Sequence, residues 1–184
     1  MENTVSTFIL VVATLLIGLV ALGLFAFYFT QQYNLTKIQD QAENIANGLY
    51  ITVSKNVTIN GDMSLYLTVN DFNYQGSIFF TVFYVPNIYK NDTQYLTPQF
   101  AYMSNGQIIY PQIKPSYSEV QVSTLYYTNL NLLYQGSVTL WEIPNLSSPV
   151  PIVLILSPPQ GYSAIILFFA QIQNKYIEVG YEWL

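Results

Sequence analysis

The chain contains no cysteine and no histidine. Their joint absence removes the thiol nucleophile, the commonest general base and the commonest zinc ligands. A cysteine-free domain must hold together through its core instead of disulfides. Arginine is missing too. The five bases are Lys37, Lys55, Lys90, Lys114 and Lys175, against ten acids. No basic cluster exists, so nucleic acid has no electrostatic footprint here and is set aside as a partner. Charged residues make up 8% of the chain, where about 25% is usual. Proline is absent before Pro86, and glycine is absent between Gly23 and Gly48. Nothing therefore breaks a helix across that stretch.

In place of charge the chain carries 17 tyrosines, 15 asparagines and 27 serines plus threonines. Hydroxyls and amides supply its solubility. One reading is an acidic exterior, where protonated carboxylates would do nothing for solubility; the other is compositional drift.

From Val5 to Phe29 the sequence is apolar on every side. At 1.5 Å per residue it spans about 37 Å, enough to cross a bilayer with tilt. Beyond Thr30, Leu35, Ile38, Ala42, Ile45 and Leu49 recur at helical spacing among polar residues, giving one apolar stripe. Asn47-Gly48 is the expected stop, with Gly48 in the left-handed conformation that ends helices. The spacing predicts one helix of about 45 residues, greasy in its first half and amphipathic in its second.

After Leu49 the period becomes two. "LYITVSKNVT" and "MSLYLTV" alternate around Asn60-Gly61-Asp62, a hairpin signal. "SIFFTVFYV", "EVQVSTLYYT", "SVTLWEI", "VPIVLIL", "YSAIILFFAQI" and "KYIEVGYEW" follow, the last two joined at Gln173-Asn174. The fold class is α+β: a helix over residues 1–48, then an all-β, immunoglobulin-like sandwich over 49–184. A proline-punctuated loop near residues 86–115 holds one short strand, Gln107 to Tyr110. "PIVLIL" and "AIILFF" are too continuously apolar for a sheet with one wet face. At least one of them calls for cover on both sides, from the helix stripe or a neighbouring subunit. "YQGS" occurs at Tyr74 and again at Tyr134, each copy leading into a strand, and reads as reused turn chemistry more than as a duplicated hairpin.

Four N-x-[ST] sequons, at Asn34, Asn56, Asn91 and Asn145, exceed the about two that chance allows and point to N-linked glycans. The carboxylates scatter. Glu178 and Glu182 share one strand face but lie about 13 Å apart, too far for an acid–base pair. No phosphate loop or nucleophile elbow is present, so neither catalysis nor a cofactor beyond glycans is expected. The loop tyrosines Tyr89, Tyr95, Tyr110 and Tyr117 are candidates for contact with a subunit or a sugar, with core packing the plainer alternative. Small residues sown through the apolar helix, among them Thr14, Gly18, Ala21 and Gly23, favour close helix–helix packing.

The apolar run "TFILVVATLLIGLVALGLFAFYF", its continuation "TQQYNLTKIQDQAENIANGL" and the β domain beyond resemble an archaeal type IV pilin or archaellin-like subunit, the class III signal peptide family. The resemblance implies a short basic leader cut off before the apolar helix, so that Met1 is either the first residue after cleavage or a true start. It implies a helix that waits in the membrane and then packs with copies of itself in a helical filament. It also implies help from an assembly ATPase and a platform protein, and a filament on the cell surface serving adhesion or motility. Bacterial pilins carry a glutamate at the fifth mature position; this chain has Val5, and its early acid is Glu2. "ENTVST" is similar, too, to the uncut start of archaellum stator proteins, which bear an outer immunoglobulin-like domain. An anchored surface- or carbohydrate-binding module is the third reading.

Overall fold

The computed structural model describes residues 2–59, 62–90, 92, 96–146 and 148–184. The chain divides into two compact units, Met1–Ile38 and Gln39–Leu184. One α-helix, α1, runs Glu2–Gly48 without interruption, as the lack of proline and mid-helix glycine pairs predicts. Its last turns belong to the second unit, where Ala42 and Ile45 are buried.

The helix ends at Gly48 for a different reason from the one expected. Gly48 does not have a positive φ; the described glycines that do are Gly106, Gly136 and Gly161. What Gly48 supplies is space. A Cβ there would run into the Asp71 carboxylate and come within 2.8 Å of Asn73 Cβ. The free carbonyls of the last turn are met from the same place: Phe72 N donates to Gly48 O at 3.0 Å, and Asn73 Nδ2 donates to Asn44 O at 2.9 Å.

Eleven strands follow among the described residues: β1 Leu49–Ile59, β2 Asp62–Asp71, β3 Ile78–Pro86, β4 Met103–Ser104, β5 Gln107–Ile108, β6 Gln112–Lys114, β7 Ser118–Tyr126, β8 Leu132–Ile143, β9 Val150–Leu156, β10 Tyr162–Ile172 and β11 Lys175–Trp183. All eight alternating segments of the sequence are strands, and three short ones come from the proline-punctuated region. Asn60 and Gly61 lie outside the described residues, and β2 begins at Asp62. The final turn is as expected: Gln173 and Asn174 have φ of 48° and 63°, and Ile172 pairs with Lys175 across them, the two-residue hairpin geometry with positive φ at both centres.

The α+β class holds, but the sheets do not form a plain sandwich. One sheet has four strands in the order β1-β2-β9-β6, while β10-β11-β7-β8-β3 closes on itself as a barrel. Closure depends on two narrow seams. β3 meets β8 through Ile78–Phe80, and β11 meets β7 in parallel through Tyr176 and Ile177. Phe79, Phe83, Val85, Leu140, Ile165, Leu167 and Phe169 fill one continuous core with residues of β7 and β8. The alternate residues of β3 and β10 are equally dry: Ile78, Phe80, Val82, Ile166 and Phe168 have no exposed surface.

Their cover is the four-stranded sheet, whose Leu65, Leu67, Val69, Ile152, Leu154 and Leu156 are buried. The Tyr84 hydroxyl accepts from Ser157 N at 3.0 Å. Tyr117, stacked edge-on against Phe80 at 5.5 Å, donates to Pro151 O at 2.9 Å. The continuously apolar "AIILFF" is therefore covered on both faces by strands of its own unit. "PIVLIL" alternates after all, with Ile152, Leu154 and Leu156 buried and Val153 and Ile155 half-buried.

The second "YQGS" copy lies inside β8, not ahead of it. There the pairing with β7 shifts, Val122 facing Val138 and Thr124 facing Gln135. Local structure is nonetheless shared by the two copies. At both Gly76 and Gly136 a Cβ would strike the ring of the tyrosine two residues earlier, Tyr74 and Tyr134. Each glycine leaves room for that ring to fold back. This is reused local chemistry.

Candidate functional site

The strongest candidate is the first half of α1. Every side chain from Thr4 to Phe29 is exposed except that of Ala21, which is half-buried. The helix is long and apolar enough to cross a membrane. Two of its hydroxyls are met internally. Thr14 Oγ1 donates to Val11 O at 2.9 Å and Thr30 Oγ1 to Ala26 O at 2.8 Å, so neither needs water or a partner in an apolar medium. At about 100° per residue, Thr14, Gly18 and Ala21 fall within about 60° of one another on one face. Gly23 does not join them; nine positions after Thr14 it lies about 180° around the helix. Nothing stands within 4 Å of a Cβ built at Gly18 or Gly23, so both leave the backbone open to close approach.

Among the sequons, Asn34 is exposed on α1, and the Thr36 hydroxyl of its motif donates to Gln32 O at 3.0 Å. Asn56 lies within β1. Asn91 is outside the described residues. Asn145 is exposed just after β8. The loop tyrosines pack inward where they are described: Tyr89 against Phe100 at 5.3 Å, Tyr110 against Trp141 at 5.1 Å, Tyr117 against Phe80. Tyr95 falls outside the described residues.

Two acids that the sequence did not single out as sites are perturbed. Glu178 pairs with Phe169, but Gly180 pairs with Phe168, so Val179 is an extra residue in β11. This bulge separates the two strand acids that alternation placed together. Glu178 falls on the side of Phe169, which belongs to the barrel core. Glu182 falls opposite Ile166 on the other face. Glu178 lies at a cavity of about 430 Å³ shared with Leu96, Tyr127 and Thr128, and burial pushes its carboxyl from 4.5 up to about 7. Tyr127 is raised in turn, first by burial and then by the Glu178 charge.

Asp71, at the end of β2, is buried as well. Its Oδ1 accepts from Asn73 N at 2.8 Å and Tyr74 N at 2.9 Å, while Oδ2 is buried with no partner. Burial raises its carboxyl despite those two bonds. Among the described residues no group of three or more His, Cys, Asp or Glu is placed to hold a metal ion.

No family model, no curated protein and no solved structure matches this chain.

Proposed function

We propose that the chain is a structural subunit of an extracellular, archaeal type IV pilus-like filament, assembled through its N-terminal helix. The observation that carries this reading is α1 itself: an unbroken helix, apolar all round and exposed over its first half, continuing directly into a β unit. Before assembly that helix is dissolved in lipid. Afterwards it packs against copies of itself in the filament core, with the β units outside. Exchange of lipid for protein gives little hydrophobic gain, since lipid tails are as apolar as leucine; close van der Waals packing at small residues must supply the difference. The Thr14–Gly18–Ala21 face supports such a seam, and Gly23 supports a second contact on the opposite side. The assembly ATPase, the platform protein and a role in adhesion or motility belong to this proposal through the family resemblance. Electron microscopy of protein purified from the native host tests it. Helical filaments containing this chain are expected, and detergent-dependent monomers alone refute it.

One observation favours a second reading, a membrane-anchored module of the stator-like or surface-binding kind. The barrel unit covers both faces of β10 with its own strands and needs no neighbour to do so. The sequence encoded upstream of Met1 separates the two. A leader ending in Lys or Arg followed by Gly fits the filament subunit.

A further inference from the structure

The outer wall of the barrel carries a groove of about 460 Å³, within the range of about 300–1,000 Å³ typical of small-molecule sites. Strands β7 and β8 form its floor, where Gln121 and Thr139 are cross-strand partners. Their neighbours Val122 and Val138 point into the core, so Gln121 and Thr139 point out. The β4–β5 hairpin forms a wall. Its turn residues Asn105 and Gly106 have φ of 51° and 75°, which fixes the two-residue turn and sets Gln107 at the rim. Tyr110, Tyr134 and Ser137 line it too, with Met103 and Ile108 of the hairpin adding apolar surface.

The polar groups here are pre-arranged. Gln121 Nε2 donates to Thr139 Oγ1 at 2.7 Å, and Ser137 Oγ donates to Gln121 Oε1 at 3.4 Å. The amide is thereby fixed with a second N–H and further acceptor capacity to spare. The Tyr110 hydroxyl accepts from Thr139 N at 3.0 Å, and its ring stands edge-on to Trp141 at 5.1 Å and 82°. Gly136 leaves the space into which the Tyr134 ring folds. The lining thus combines two held aromatic rings, two amides and two aliphatic hydroxyls, with no charged side chain. An ionic ligand would find no counter-charge. A purely apolar ligand would strand the amides and hydroxyls unpaired. A ligand that is neutral, donates and accepts in equal measure, and has C–H faces to lay on tyrosine fits all of these terms.

We infer that this groove binds a neutral saccharide, a property independent of whether the chain assembles into filaments. The test uses the full chain in a detergent without a sugar headgroup, on an array of neutral, sialylated and sulphated glycans. Titration with mannotriose, cellotriose and chitotriose follows, read by tryptophan emission because Trp141 touches Tyr110. Binding to neutral glycans is expected, weakened at least tenfold in both Gln107→Ala and Gln121→Ala. Gln75→Ala, the exposed glutamine of the other "YQGS" copy, leaves it unchanged. Gln107 is exposed on the hairpin, which separates loss of the site from loss of the fold. No binding, binding confined to charged glycans, or binding that both groove variants retain overturns the inference.

Discussion

Glu178 gives the protein a stability that grows with acidity. The Val179 bulge turns its carboxyl to the core side of β11, beside Leu96 and Tyr127, and burial pushes it from 4.5 to about 7. The folded state therefore holds this proton more tightly than the unfolded chain. The contribution is fully present below pH 4.5, declines as pH rises, and is gone above about 7. At 1.36 kcal/mol per pH unit the interval amounts to about 3 kcal/mol, and water reaching the adjoining cavity brings it to about 2–3 kcal/mol. For a unit of this size that is about 5–10 °C in melting temperature.

The measurement is thermal unfolding of the full chain in micelles between pH 4 and 8, followed by near-ultraviolet dichroism. Glu178→Gln removes the titrating proton and keeps the shape, so the wild type falls away from the variant as pH rises from 4.5 to 7. Asp71, raised in the same direction by burial, titrates in both proteins and cancels in the difference. A wild-type melting temperature that is flat or rising across this window would falsify the placement of Glu178, as would equal slopes for the two proteins. A confirmed slope turns the acidic-exterior reading of the composition into a property of the fold.

Gly18→Leu should block filament assembly while leaving membrane insertion intact, because only close packing is lost; microscopy beside membrane fractionation checks both halves. Gly48→Val should cost about 2–3 kcal/mol by overpacking against Asp71 and Asn73, seen as a lower midpoint in urea. Intact-mass spectrometry of native material should show glycans on Asn56, Asn91 and Asn145, with Asn34 less occupied; the mass of the bare chain would rule them out. A fragment of residues 39–184 should be a monomer silent to a hydrophobic dye. One of residues 49–184, stripped of Ala42 and Ile45, should be less stable by about 2–4 kcal/mol and bind the dye.

What could be read from the sequence was local, and what could not was long-range. The helix follows from the missing prolines, the eight main strands from period two, and the last hairpin from Gln173-Asn174. Barrel closure had no such signal. It depends on three residues of β3 meeting β8 and two of β11 lying parallel to β7, pairings between segments far apart in the chain. The unbroken run "AIILFF" did announce a strand dry on both faces. The source of its cover lay beyond alternation, which cannot tell the helix stripe or a neighbouring subunit from the chain's own sheet. Gly48 looked like a left-handed stop, yet its reason is the carboxylate of Asp71, a contact created only when β2 returns to the helix end. The bulge was the most consequential omission. Reading "KYIEVGYEW" by strict alternation puts Glu178 and Glu182 together, while one extra residue turns the first to the core side of the strand and the second to the opposite face. The groove shows the same limit. Gln107, Gln121, Tyr134 and Ser137 come from three strands; Tyr110 stood out as a loop tyrosine and Tyr134 and Ser137 as the ends of the second "YQGS", but no spacing joined them into one site. A site made of uncharged side chains leaves no mark in composition, because what makes it a site is the hairpin wall and the fixed amide.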